Sequence, residues 1–167
     1  MALPSMSITF QCLAGQPDPP LLHAVVDINQ RIFGFNESAE TLGPFFASHQ
    51  DMVLCLAWDK EILVGFKIGF LIEPAVLESW RGGVLPRYRR CGIAGEMMRN
   101  QHAWCRENGV GRIQTVTNAD NEAMLALNRR SGFEEVRRFL NPNQRLKIEH
   151  VLRLDRSQGN SIFSNAF

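Results

Sequence analysis

Arg89-Arg90-Cys91-Gly92-Ile93-Ala94-Gly95 carries the residue types of an anion site. An apolar run ending in Val84-Leu85 and then Pro86 comes before it, and an amphipathic helix pattern follows. Successive backbone N–H groups at a helix N-terminus converge on one point, and the helix dipole favours negative charge there. Gly92 and Gly95 let the backbone approach a bulky phosphate, and Arg87, Arg89 and Arg90 add positive charge. The plainer alternative is an ordinary strand-to-helix turn with a solvated arginine cluster. Gly82-Gly83, just upstream, is unusual for a central strand and marks close approach by a ligand or by another backbone. Cys91 lies within the turn, but no histidine follows nearby to activate it as a nucleophile. Cys12, Cys55, Cys91 and Cys105 form no Cys-x-x-Cys, which argues against zinc and for thiols in a reducing cytosol. His23, His49, His102 and His150 are scattered without partner spacing and read as surface or packing residues.

These residues need a scaffold, and the length suits one domain with a single core. A net charge of +1 supplies no global field toward nucleic acid, so local basic clusters must do any anion binding. The N-terminus has no basic region followed by a long apolar core, and no apolar run approaches the ~20 residues that span a bilayer. The expected location is cytoplasmic. Ser7–Leu13 reads as a first strand. Leu21, Val25, Ile28 and Ile32 then form one stripe of a helix ending near Gly34, and Ser38 caps a second helix that buries Leu42, Phe45 and Phe46. Phe33, Phe35, Phe45 and Phe46 read first as packing between these helices, and also as the lining of a binding pocket. Met52–Trp58 and Ile62–Ile72 form a hairpin, the second strand being apolar but for Lys67 and therefore central. Val76–Leu85 is a strand, Ala94–Asn108 a helix, Arg112–Thr117 a strand and Glu122–Ser131 a helix closed by Gly132. Phe133–Leu140 and Leu146–Leu154 form a last hairpin.

Val84-x-Pro86 followed by Arg89-x-x-Gly92-x-Ala94 resembles the coenzyme-A loop of the GNAT superfamily of N-acetyltransferases. A second segment, Asn121 to Phe133, resembles the family pattern Asn-x-x-Ala-x-x-x-Tyr-x-x-x-Gly-Phe. Asn121, Gly132 and Phe133 match; Met124 replaces the small residue and Asn128 the tyrosine. The order of elements is also that of the GNAT fold, so the resemblance spans about residues 7 to 155. It implies an α/β (α+β) fold with a mixed central sheet of about seven strands and helices on both faces, in a single domain over 1–155 with a tail over 156–167.

The resemblance implies acetyl-CoA as co-substrate, without a metal, and direct transfer of acetyl to a primary amine on a small molecule or peptide. The loop Arg89, Arg90, Cys91, Gly92, Ile93, Ala94 and Gly95 would bind the pyrophosphate. Val84 and Leu85 would hold the pantetheine through backbone groups, and Asn121 and Asn128 would contact the cofactor. Glu78, six residues before Val84, stands where some members carry a general base; Glu73 and Glu40 are weaker candidates. By alternation Glu78, Trp80, Gly82 and Val84 share one face, a parity that a bulge would break. In many members the missing tyrosine protonates the departing thiolate. An amide cannot serve as that acid, so Asn128 offers only hydrogen bonds. Tyr88, the only tyrosine, lies in the loop and is badly placed to substitute. A thiol pKa of about 8.5 lets the thiolate leave unaided.

The departure at Asn128 keeps a second reading open, a catalytically degenerate CoA-binding module acting as sensor or partner. Neither reading involves nucleic acid or a membrane. The tail is polar apart from Ile162, Phe163, Ala166 and Phe167, and its phenylalanines are expected at a homodimer interface.

Overall fold

The computed structural model describes residues 5–34 and 38–154. Its elements are β1 (Ile8–Ala14), α1 (Pro19–Phe33), α2 (Ala39–Ala47), β2 (Met52–Asp59), β3 (Ile62–Glu73), β4 (Val76–Val84), α3 (Ile93–Glu107), β5 (Arg112–Asn118), α4 (Glu122–Arg130), β6 (Glu134–Leu140) and β7 (Leu146–Arg153). The order is the expected one, with an added 3-10 turn over Pro86–Tyr88. The strands form a mixed sheet in the order β1-β2-β3-β4-β5-β7-β6. The interior of β3 is buried apart from a half-buried Lys67, as its apolar composition requires of a third strand in seven. Phe35 and the tail beyond Leu154 lie outside the described residues, so the dimer expectation based on Ile162 to Phe167 lies outside them as well.

Local chemistry sets the helix ends. Asp18 Oδ1 accepts the Leu21 amide at 2.9 Å, Pro19 and Pro20 open α1, and Gly34 closes it in the left-handed region. Ser38 caps α2 as expected. Asn121 caps α4 through the Met124 amide at 3.2 Å. At its far end the Phe133 amide donates to the Asn128 carbonyl and the Gly132 amide to that of Arg129, with Gly132 at φ 91°. That is a Schellman closure, which needs a residue without Cβ at the left-handed position and an apolar one after it. The Gly132-Phe133 pair is thus helix-stop chemistry.

The described chain divides into two compact units, and β3, β4 and α3 contribute residues to both. The first holds residues up to Leu71 with Ser79–Trp104. In it, α1 and α2 cover one face of β3: Phe33 meets Phe66 edge-on at 6.5 Å and Phe45 meets Phe70 at 5.5 Å. On the other face of β3, Gly65 lets α3 close in, since a Cβ there would lie 3.1 Å from Met97 Cε and 3.3 Å from Ile93 Cγ2. Val25, Ile28, Phe46, Leu54, Leu56, Phe66 and Ile68 form its core, each such side chain contributing about 1.5–3 kcal/mol on burial.

The second unit holds Ile72–Glu78 and the residues from Cys105 onward. Here β7 pairs antiparallel with β5 and with β6. Thr115 and Thr117 on β5 stand opposite His150 and Ile148 on β7, and all four are buried. The face between them in register carries Gln114, Val116 and Glu149. The Gly111 and Arg112 amides both donate to the Ala75 carbonyl, fixing the start of β5 beside the start of β4.

One expectation is corrected. Glu78, Trp80, Gly82 and Val84 do not keep a shared face. Trp80 packs on Phe45 of α2, yet a Cβ on Gly83 would meet Ile32 of α1, and both helices lie on one face of β3. Helix-facing positions therefore fall three residues apart, a spacing regular two-residue alternation does not allow. The irregular residue sits at Gly82, where a Cβ would come within 2.9 Å of the Phe66 carbonyl oxygen.

Candidate active site

The basic turn follows from its backbone. Pro86 starts a single 3-10 turn, in which the Tyr88 amide donates to the Leu85 carbonyl at 2.9 Å. Arg90 and Gly92 then adopt positive φ of 61° and 78°. The first bond of α3 runs from the Glu96 amide to the Gly92 carbonyl at 3.0 Å. The amides of Ile93, Ala94 and Gly95 precede that bond, so the first turn of α3 offers them to an outside acceptor. Arg89, Arg90, Cys91, Gly92 and Ala94 are exposed around this point, Gly95 is half-buried, and Ile93 is buried as the anchor of the helix. Nothing lies within 4 Å of the Cβ position of Gly92. The turn therefore opens a 15-residue helix with exposed Arg89 and Arg90 next to it in the chain.

Several side chains of the turn already have internal duties. Tyr88 is buried and donates its hydroxyl to Asp59 Oδ2 at 3.0 Å, a bond that raises its pKa. It anchors the loop to the end of β2 and is withdrawn from acid chemistry. Arg89 Nε donates to the Val84 carbonyl at 3.0 Å, and the Leu85 amide donates to the Val64 carbonyl at 2.9 Å. Cys91 Sγ donates to the Arg89 carbonyl at 3.4 Å. Val84 and Leu85, assigned to the pantetheine, therefore hold the turn against β3 through part of their backbone hydrogen-bonding capacity. Each carbonyl keeps a second lone pair.

In the second unit Glu78 is half-buried, and Gln114 Nε2 donates to its Oε2 at 2.7 Å. Burial raises the pKa of Glu78, the Gln114 bond lowers it, and the Glu149 carboxylate raises it further; the net direction is up. A carboxylate with a raised pKa and one oxygen held in place suits a general base. Gln114 escaped the sequence reading; its only signal was its place between buried Ile113 and Thr115 on β5.

Asn128 is neither on the helix surface nor near Glu78. It is wholly buried, and its Nδ2 donates to Thr117 Oγ1 at 3.2 Å. Its Oδ1 is buried without a hydrogen-bond partner. Thr117 and Gln114 point to opposite faces of β5, so the two residues assigned to catalysis lie on opposite sides of that strand. Asn121, exposed, spends its oxygen on the helix cap.

In the first unit, Phe45, His49, Phe70 and Trp80 form an aromatic cluster with centroid separations of 4.2 to 5.6 Å. Arg81 stacks over Trp80 at 4.3 Å, lies 5.8 Å from the Phe33 ring, and donates to Asn29 Oδ1 at 3.2 Å. The expected packing role of Phe45 and Phe46 is met, while Phe33 stays 38% exposed and available as a wall. Among the described residues no group of three His, Cys, Asp or Glu side chains is placed to hold a metal ion. No described helix is long and apolar enough to cross a membrane.

The fold has clear relatives. The crystal structure of the ribosomal-protein-S18-alanine N-acetyltransferase from Escherichia coli superposes with a TM-score of 0.75 at 21% identity, covering 94% of this chain and all of that one. Arabidopsis thaliana NAA60 in complex with acetyl-CoA gives 0.72 at 20% identity over 89% of this chain and 99% of that one. YncA from Salmonella typhimurium, a putative acetyltransferase with its cofactor acetyl-CoA, gives 0.73 at 12% over 90% and 96%. No curated protein sequence matches significantly. The model of the acetyltransferase (GNAT) family matches residues 22–133, a span that contains the basic turn, Glu78 and α4, and the chain belongs to that family.

Proposed function

We propose that this protein transfers an acetyl group from acetyl-CoA to a primary amine by direct attack. The observation that carries this reading is the start of α3, where the amides of Ile93, Ala94 and Gly95 precede the first helix hydrogen bond and Arg89 and Arg90 are exposed beside Gly92 at positive φ. The pyrophosphate accepts from those amides, with the dipole of α3 and the arginines supplying charge. Val84 and Leu85 guide the pantetheine along the end of β4. Holding the thioester in place and polarising its carbonyl supply most of the rate.

The amine nitrogen attacks the thioester carbon, the C–S bond breaks, and coenzyme A leaves as the thiolate. The proton lost by the amine passes to Glu78, directly or through one water, with Gln114 fixing the receiving carboxylate. The thiolate leaves unaided or takes a proton from water. Asn128 contributes from the other face of β5: its unpartnered Oδ1 is an acceptor for a pantetheine N–H or the thiol, and Asn121, whose oxygen caps α4, keeps its amide N–H groups for the cofactor.

For the acceptor, peptides with an unblocked N-terminus come first. Among the neighbours, the Escherichia coli enzyme acts on the alanine of ribosomal protein S18, and the NatC complex is bound to a Gag peptide and CoA. The aromatic cluster with Arg81 is the wall assigned to that acceptor in this reading. The site is proposed to work in the cytoplasm, in a homodimer to which the tail contributes; truncation after Asp155 followed by light scattering tests the tail. Calorimetric titration with acetyl-CoA, then thiol release against peptides and small amines, tests the function. Binding with turnover supports transfer. Binding without turnover across the panel would favour the degenerate module, and no binding would refute the pyrophosphate assignment.

A further inference from the structure

Cys12 on β1 and Cys55 on β2 stand directly opposite each other in the antiparallel register, and Cys55 stands opposite Lys67 on β3. Paired residues share a face, so the three side chains form one row across the sheet. It is the face on which Ile93 and Met97 of α3 close on Gly65, two residues before Lys67. The sulfurs of Cys12 and Cys55 lie 2.9 Å apart, both as thiols. Cys55 is 1% exposed, whereas Cys12 is half-buried on a strand at the sheet edge.

We propose that Cys12 and Cys55 are a redox-active dithiol that takes up a small-molecule disulfide and closes to an intramolecular disulfide. The geometry meets what the bond demands. Directly paired residues of antiparallel strands have Cα atoms about 4.5–5.5 Å apart, inside the disulfide range of about 4.4–6.8 Å. The sulfurs need to approach by less than about 1 Å to reach bonding distance.

The division of labour follows from burial. Cys12 is reachable from outside, so its thiolate attacks one sulfur of the incoming disulfide. A mixed disulfide forms and one thiolate of the reagent leaves. Cys55, already in contact, attacks the Cys12 sulfur and expels the second reagent thiolate. The product is one protein disulfide and two reagent thiols; the protein gives up two electrons and two protons, and the reagent disulfide receives both. Lys67 favours the second step, because its ammonium and Cys55 attract each other across the β2–β3 pair and a thiolate is the attacking form. Cys91, exposed and hydrogen-bonded only to the Arg89 carbonyl, has no thiol opposite it and serves as an internal control.

The test treats the full-length protein with graded ratios of oxidised to reduced glutathione, quenches by alkylation and maps the peptides by mass. The expected product is a linked Cys12–Cys55 peptide pair lighter by two hydrogens, while Cys91 carries a stable glutathione adduct. Cys55→Ser should trap glutathione on Cys12, and Cys12→Ser should leave Cys55 unmodified. Lys67→Gln should slow closure about two- to fivefold, because it removes the cation facing the Cys55 thiolate while the less stabilised thiolate recovers some nucleophilicity. The bridge should raise the melting temperature by about 5 °C, reversibly on reduction. A stable glutathione adduct on Cys12 with Cys55 alkylated would overturn the proposal. So would two alkylated cysteines at ratios where Cys91 is fully modified.

Discussion

Gly82→Ala and Gly83→Ala add the same methyl group to neighbouring positions on β4, and the structure assigns them different costs. At Gly82 the new Cβ would lie 2.9 Å from the Phe66 carbonyl oxygen, 3.3 Å from Lys67 Cα and 3.4 Å from Lys67 Cβ. The first two are backbone atoms of β3, third of the seven strands, and they cannot turn aside. Relief needs the two strands to part. Forcing a methyl into a closed site costs about 1–3 kcal/mol, and a backbone neighbour puts Gly82 at the upper end. Loss of unfolded-state freedom returns about 0.4–1 kcal/mol for any Gly→Ala change, which leaves a net loss of about 2 kcal/mol. At Gly83 the neighbours are Ile32 Cγ2 at 3.0 Å and Ile32 Cδ1 at 3.1 Å, with Phe33 Cζ at 3.6 Å. Ile32 is a half-buried side chain in the last turn of α1 and can change rotamer, at about 0.5–1.5 kcal/mol if it ends off a minimum. The net effect at Gly83 is within about 1 kcal/mol of zero. Urea unfolding followed by circular dichroism reads the difference, provided both variants share the wild-type slope. Gly82→Ala should also weaken acetyl-CoA binding, since parting the strands there moves Val84 and Leu85. Equal stability of the two variants would refute the claim that Gly82 exists for a close backbone approach.

Gly92→Glu should abolish acetyl-CoA binding in calorimetry while the far-ultraviolet spectrum stays native. It places a carboxylate where the pyrophosphate is assigned, and the left-handed φ adds about 1–2 kcal/mol of strain; unchanged affinity removes that assignment. Glu78→Gln should lower turnover by about a hundredfold at neutral pH. The wild-type acid limb, raised by burial of Glu78, should vanish with it, and a retained limb would assign the base elsewhere. Lys67→Met should stabilise the fold. Burial pushes the Lys67 ammonium down to about 8 from 10.5, which bounds the cost of its charge at about 3 kcal/mol, and its partial exposure reduces that to about 1–2 kcal/mol. Between those two values the unfolded chain keeps a proton that the native state has lost, so wild-type stability rises with pH there. The gap between variant and wild type should therefore be full at pH 7 and shrink toward pH 10, as urea melts at both values would show.

How far the chain was legible depended on whether a residue's task was local. Ser38, Gly34 and Gly132 declare helix ends because caps and left-handed stops are short-range chemistry, and the structure places each at such an end. The turn from Arg89 to Gly95 was legible for the same reason: a proline, a glycine at positive φ and the first amides of a helix lie within ten residues. Tasks that depend on what crosses the sheet were not legible. Alternation assigned Glu78, Trp80, Gly82 and Val84 one face, but the clash waiting at Gly82 comes from Phe66, a residue 16 positions earlier on the neighbouring strand. Gln114 looked like a strand residue among others until it met Glu78 across 36 positions. Asn128 shows the same limit within a motif. Its spacing to Gly132 and Phe133 is dictated by the Schellman closure of α4, in which its own carbonyl takes part, so that much of the pattern would persist whatever side chain stood there. The side chain is free to follow function. Here it has become a buried amide with one hydrogen bond, to Thr117, and one buried oxygen without a partner. A buried acceptor of that kind is costly unless something meets it, and that cost, rather than the motif, is the physical argument for placing a donor from the substrate there.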